Sequence, residues 1–152
     1  MQLLELITIM VAGLLVGNEM AVGLIVHPTL SRTRDEVHSE SVQALARVYG
    51  WVMPFWYAAN LILYCIVAVV LYRTGAKGYP QAIAASILML VTIVFSSIGP
   101  APINNRVALW DLTRLPPEWK HERWLWDVLH FVRVIMLVVS LLLFVAACLA
   151  SA

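Results

Sequence analysis

Asn18-Glu19-Met20-Ala21-Val22-Gly23-Leu24-Ile25-Val26-His27-Pro28 places an amide, a carboxyl and an imidazole inside an apolar run that otherwise reads as lipid-soluble helix. An ionisable group at bilayer depth costs at least roughly 2.5–3.5 kcal/mol on insertion scales, so Glu19 needs a partner or a task. What Glu19 and His27 face decides how the rest of the chain must be arranged.

Of 152 residues, 62% are hydrophobic and 12% charged, with a mean hydropathy of +0.86. A soluble domain of this length has too little interior to hide that much apolar surface. An integral membrane protein follows, with the lipid bilayer as its first partner. A net charge of +1 gives no electrostatic footprint for nucleic acid, so no nucleic-acid partner is expected. Met1-Gln2-Leu3-Leu4-Glu5 lacks the basic opening of a signal peptide, and the first run reads as a retained helix.

Apolar runs cover roughly 3–27, 50–72, 81–99 and 128–150, each close to the ~20 residues that cross the hydrocarbon. They are continuous rather than alternating, which selects helices over barrel strands. The expected fold is all-α, an integral membrane four-helix bundle forming one domain over 1–152. Its helices fall at about 3–27, 34–72, 81–99 and 117–150, the second and fourth extending beyond the cytoplasmic face.

The joints carry their own signals. Pro28 is expected to end the first helix, because the residue before a proline is pushed out of the α region. Thr33-Arg34-Asp35-Glu36 reads as a capping box with Thr33 as N-cap. Pro54 should kink the second helix, and Gly99-Pro100-Ala101-Pro102 should stop the third. Cys65 and Cys148 lie at depths of about 22 and 30 Å from the shared face, so no disulfide is expected. Ala84-Ala85-Ser86 offers small residues at which copies can associate, making a homo-oligomer a possible state.

Arg32, Arg34, Arg47, Arg106, Arg114, Lys120 and Arg123 fall on the face carrying the first and third connections, against Arg73 and Lys77 on the other. The positive-inside rule then puts both termini outside and the long connections in the cytoplasm. Four alternating helices bring His27, the Asn104-Asn105 pair and the Asp127-His130-Arg133 stripe to that same face. Glu19 lies about 12 Å deeper than His27 and about 80° around the helix, with Gly23 between them allowing close approach. A polar cavity opening to the cytoplasmic face and narrowing towards Glu19 accommodates these groups, with Asn60, Thr92, Ser96 and Ser97 supplying deeper hydrogen bonds. The plainer readings are a non-catalytic membrane binding protein whose polar groups are only interhelical glue, with Glu19 paired to Arg133 or Asn60, and an Asp127 that favours a helix start. Trp51, Trp56, Trp119, Trp124 and Trp126 read as an aromatic belt.

Three chemistries suit the constellation. His27, His130, Asp127 and Glu19 can ligate a transition metal, Asp127 and His130 having the i, i+3 carboxylate–histidine spacing of carboxylate bundles. His27 and His130 on neighbouring helices can ligate a haem. An acid–base pair with amide and guanidinium donors can bind a lipophilic aromatic or quinone-like small molecule and stabilise its enolate or phenolate, with no cofactor.

Pro28-x-Leu30, Pro54, Pro102-x-Asn104-Asn105, Trp110 and Trp126-x3-His130-x2-Arg133, in that order, resemble the anthrone oxygenase-like family of small four-helix membrane proteins. The resemblance covers most of the chain. It implies a monooxygenase-type oxidoreductase of a bacterial inner membrane that uses dioxygen to oxidise an anthrone-type substrate to its quinone, with no established organic cofactor. Carried onto matching positions, it points to Asn104, Asn105, His130 and Arg133 as catalytic. Glu19 and His27 join them on the spacing argument. Asn18, Gly23, Trp51, Asn60, Arg106 and Trp110 are the expected substrate contacts.

Overall fold

Backbone polar groups in hydrocarbon must be satisfied within their own segment, and all four apolar runs accordingly close into helices. The computed structural model describes residues 2–151. It is an all-α membrane bundle of five helices: α1 (Gln2–Leu30), α2 (Asp35–Arg73), α3 (Tyr79–Ile98), α4 (Pro100–Ala108) and α5 (Trp119–Ser151). All but α4 are long and apolar enough to cross a membrane. At 1.5 Å per residue, α2 and α5 rise about 58 and 50 Å, well past a hydrocarbon core of about 30 Å. The long helices form a ring in the order α1, α2, α3, α5.

Three joints differ from expectation. Helix α1 passes through Pro28 and continues to Leu30. A proline ring collides with the carbonyl four residues back. The chain avoids this by widening Val22–Val26 into a π-turn, in which the His27 N–H donates to the Val22 carbonyl and His27 keeps helical φ and ψ of −64° and −46°. The Thr33 capping box does not form: its hydroxyl donates back to the Leu30 carbonyl at 2.7 Å, and α2 starts at Asp35 with Arg34 as N-cap. Gly99 does end α3. Yet Pro100 then opens the short helix α4, since proline's fixed φ and missing N–H cost nothing in a first turn.

Two apolar clusters fill the ring. The larger, around Leu15, Tyr64, Leu71, Met89, Leu137 and Phe144, occupies the end nearer the α2–α3 connection, with Tyr64 and Phe144 stacked at 4.3 Å. Ala85 and Ser86 are buried inside the bundle, and Ser140 donates to the Ala85 carbonyl at 2.9 Å. Their smallness thus serves contact between α3 and α5. The smaller cluster joins Val42, Ala46, Ile103, Val107, Trp110 and Trp119 at the opposite end. Gln43 Nε2 donates to the Trp110 carbonyl at 2.7 Å and Arg47 Nε to the Ala108 carbonyl at 3.0 Å, tying α2 to the end of α4. Both cysteines are free thiols.

Gly78 closes the α2–α3 connection against the backbone of α5, where an added Cβ would collide with the Ala147 carbonyl. Gly78→Val should therefore destabilise the bundle by about 1–3 kcal/mol through overpacking. Gly13→Ala, where nothing lies within 4 Å, should stabilise it by about 0.5–1 kcal/mol. Thermal unfolding of the detergent-solubilised chain checks both, and equal shifts would refute the contact.

Candidate functional site

The π-turn sets the geometry of the site. Eight regular helical residues leave Glu19 and His27 about 80° apart. A π-turn absorbs one residue without advancing the helix, which cuts that angle to roughly 20°. Both side chains then project from one face of α1, opposite a stripe of α5 formed by Arg123, Trp126, His130 and Arg133 at i, i+3, i+7 and i+10. All six side chains are buried.

His130 is held from three sides. A guanidinium can only donate, so Arg133 Nη2, 2.7 Å from His130 Nδ1, makes that nitrogen the acceptor. The ring proton of the neutral imidazole then sits on Nε2, which donates to the Glu19 carbonyl at 3.0 Å. Gly23 lies under the ring, where a Cβ would come within 3.0 Å of Cδ2 and Nε2. Arg133 Nη2 is also 2.7 Å from Glu19 Oε2, an ion pair inside the bundle. Its N–H bonds are aligned on His130 rather than on the carboxylate, so Oε2 is paired by charge without an aligned hydrogen bond.

The arrangement repeats one step closer to the surface. Arg123 Nη2 donates to His27 Nδ1 at 2.8 Å, and Asp127 Oδ1 lies 3.3 Å from that nitrogen and 3.6 Å from the guanidinium. Each set places a guanidinium between an imidazole nitrogen and a carboxylate. Trp126 joins them, stacked 4.5 Å from His27 and 4.6 Å from His130, with the Arg123 guanidinium 4.6 Å from its ring. Trp126 and Trp119 are therefore packing residues of the interior and do not belong to the expected aromatic belt.

A cavity of about 230 Å³ lies beside these groups, between the two apolar clusters. Glu19, His27, Asn104, Asn105, His130 and Arg133 all line it. The other walls are largely apolar, and Tyr57 brings a buried hydroxyl without a hydrogen-bond partner. The smaller apolar cluster, around Ile103, Val107 and Trp110, packs at the end where the opening was expected, and Gly50 and Asn105 are exposed lining residues towards that end. Lining residues from α1 and α5 are all buried, whereas the exposed ones belong to α2, α3 and α4.

The expected substrate contacts fall outside the lining. Asn18 accepts from the Tyr49 hydroxyl at 3.0 Å, behind the wall. Asn60 is buried but donates to the Trp56 carbonyl, so it does not reach Glu19. Trp51 points outward. Arg106 pairs with Glu122 at 2.6 Å, and Trp110 is part of the apolar plug. Asp127 sits half-exposed at the rim, touching the site through His27 and Arg123. Arg123 itself escaped the sequence reading, which counted it towards topology. Its signal was spacing: it continues the Trp126-His130-Arg133 stripe one turn towards the N-terminus.

A metal fits this donor set poorly. Nδ1 of both His27 and His130 already accepts from an arginine cation, which a metal ion would have to displace. Among the described residues, no group of three or more His, Cys, Asp and Glu side chains is disposed to hold one. Set against known proteins, the chain matches no family model, no curated protein and no solved structure.

Arg133→Ala strands the Glu19 carboxylate in the bundle and should cost about 3–5 kcal/mol, the penalty of breaking a buried pair from one side. Adding Glu19→Gln should recover much of that loss. Unfolding of the two single variants and the double variant measures the coupling, and purely additive losses would refute the pairing.

Proposed function

We propose that the protein is a membrane-embedded, oxygenase-type oxidoreductase that oxidises a lipophilic aromatic, anthrone- or quinol-like molecule with dioxygen. The observation that carries this reading is the meeting of Glu19, His27, Asn104, Asn105, His130 and Arg133 around one largely apolar cavity. An apolar pocket with a few fixed polar groups suits a flat hydrophobic molecule bearing one or two oxygens.

The residues divide the work as follows. Both nitrogens of His130 are engaged and His27 Nδ1 is taken, so Glu19 is the group best placed to accept a proton from an acidic C–H. His130 and Arg133 hold that carboxylate in position. Asn104 and Asn105 donate to the substrate oxygen as it becomes an oxyanion, with Arg133 balancing the charge. For an anthrone, the carbanion's electrons reduce dioxygen, a C–O bond forms, the O–O bond breaks, and quinone and one water result. The two hydrogens lost from carbon leave in that water.

The positive-inside rule places the His27 end at the cytoplasm and the termini outside. Removing the buried Arg123 from the count leaves the excess of Lys and Arg on that face intact.

Oxygen uptake by the full chain in lipid nanodiscs, with anthrone as the probe, tests the reading. Wild type should consume oxygen above protein-free nanodiscs. Glu19→Gln and His130→Ala should lose about 10²–10⁴-fold, and Asn105→Ala about 10²-fold. Absence of uptake, or variants equal to wild type while folded by circular dichroism, would overturn it.

A further inference from the structure

The cavity has a closed side and an open side, and the difference follows the helices. Every lining residue from α1 and α5 is buried. The exposed lining residues are Gly50, Pro54 and Ala58 on α2, at i, i+4 and i+8, and Ser97 and Asn105 on α3 and α4, with half-buried Ala101 between them. Two rows of small side chains therefore face each other across a slot. Towards the long connections, the Gln43 and Arg47 bonds tie α2 to α4 and the smaller apolar cluster packs beyond them.

Along α2 and the end of α3 the slot is flanked by large apolar side chains, with polar Asn105 at its α4 end. Trp51 and Phe55, next to Gly50 and Pro54, are 72% and 67% exposed, and Ile98, next to Ser97, is 75% exposed. An opening to water would be rimmed by polar groups; large exposed apolar side chains on a membrane helix face lipid. Depth agrees. Counted from Arg73 at the far end of α2, Ala58 and Pro54 lie about 22 and 28 Å along the axis, and Ser97 lies about 27 Å along α3, within a hydrocarbon core of about 30 Å, while Gly50, at about 34 Å, reaches its edge. Inside, the Tyr57 hydroxyl on α2, without a hydrogen-bond partner, and the Glu19 carboxylate on the polar wall both border the cavity.

We propose that the cavity exchanges its ligand directly with the bilayer, through the slot between α2 and α3–α4, so that the ligand is a membrane-dissolved lipophile and not a water-borne solute. The proposal rests on the reading of the cavity as a substrate site and adds how that site is reached. Small side chains along both lips let a flat ring pass where larger ones would interlock. The polar wall of α1 and α5 lies opposite the slot and meets the far side of the ligand, while Asn104 and Asn105 on α4 reach its oxygen from the lip.

The test uses the full chain in phosphatidylcholine vesicles, with Cys65 and Cys148 replaced by alanine. Nitroxide labels at Ala58→Cys and Ser97→Cys are compared with one at Arg114→Cys in the exposed α4–α5 connection. Both slot labels should relax with lipid-dissolved oxygen more than with a water-soluble nickel chelate, the reverse of the connection label. A nickel chelate that reaches the slot labels as it reaches residue 114 would overturn the proposal, whatever the oxygen-uptake result. In a second measurement, 5-fluorotryptophan places a fluorine NMR signal at Trp126 on the cavity wall. Decyl-benzoquinone in the bilayer should shift that signal, a sulfonated water-soluble quinone should not, and Ala58→Phe with Ser97→Phe should abolish the shift. A shift by the sulfonated quinone that survives the double substitution would also overturn it. If both measurements go as expected while oxygen uptake fails, the oxygenase reading falls and the bilayer route stands.

Discussion

A carboxylate and a guanidinium, Glu19 and Arg133, lie 2.7 Å apart inside an apolar bundle, and much of the architecture follows from keeping them there. Glu19 is 2% exposed, so its charge cannot be relieved by water and must be met by the neighbouring helix. That requirement fixes the register of α1 against α5. The register sets Gly23 under His130 and brings His27 alongside Arg123 and Trp126. Removing either charge leaves the other stranded, whereas a well-packed apolar pair at the same positions would cost little. Stability alone thus gives no reason for the pair, and its place on a cavity wall supplies one.

The long helices were legible because membrane insertion leaves the backbone few alternatives: a continuous apolar run near twenty residues closes its own hydrogen bonds or does not insert. Convergence of His27, Asn104, Asn105, His130 and Arg133 was legible for a related reason, since alternating helices must return to the same face. The π-turn was not, because Pro28 acts upstream of itself. The sequence shows a residue that disfavours helix, but not whether the chain will stop or widen. The same ambiguity hid α4, where Gly99 breaks the chain and Pro100 restarts it. Arg123 and Trp126 were misjudged because basic and aromatic residues near a membrane surface have common roles in topology and anchoring. Only the partner helix shows that these two face inward.

Two Arg–His–carboxylate sets on one tryptophan differ in their surroundings more than in their geometry. Guanidinium-to-imidazole distances are 2.8 Å in one and 2.7 Å in the other, and each carboxylate lies 3.3 Å from its Nδ1. Asp127 is half-exposed, while Glu19 is buried. In both sets the arginine takes Nδ1, so a neutral ring is left with its proton on Nε2. The imidazoles are thereby made donors towards Nε2 and lose their free basic nitrogen. Of the two imidazoles and the carboxylate on the cavity wall, the carboxylate alone then keeps an acceptor atom without an aligned hydrogen bond, a difference that residue types alone do not reveal.

The cavity exists because α2 departs from ordinary packing where it passes the polar wall. Pro54 cannot donate to the Gly50 carbonyl four residues back, and Gly50, Pro54 and Ala58 give that stretch little side-chain bulk. A leucine-rich stripe here would fill the space between the two apolar clusters and seal Glu19 within a continuous core. Instead the chain keeps an apolar plug at one end, the main core at the other, and small residues between. Packing is sacrificed along facing stretches of α2 and α3–α4, opposite the buried charges. That coincidence of lost packing and retained charge is what sets this bundle apart from four helices that merely span a membrane.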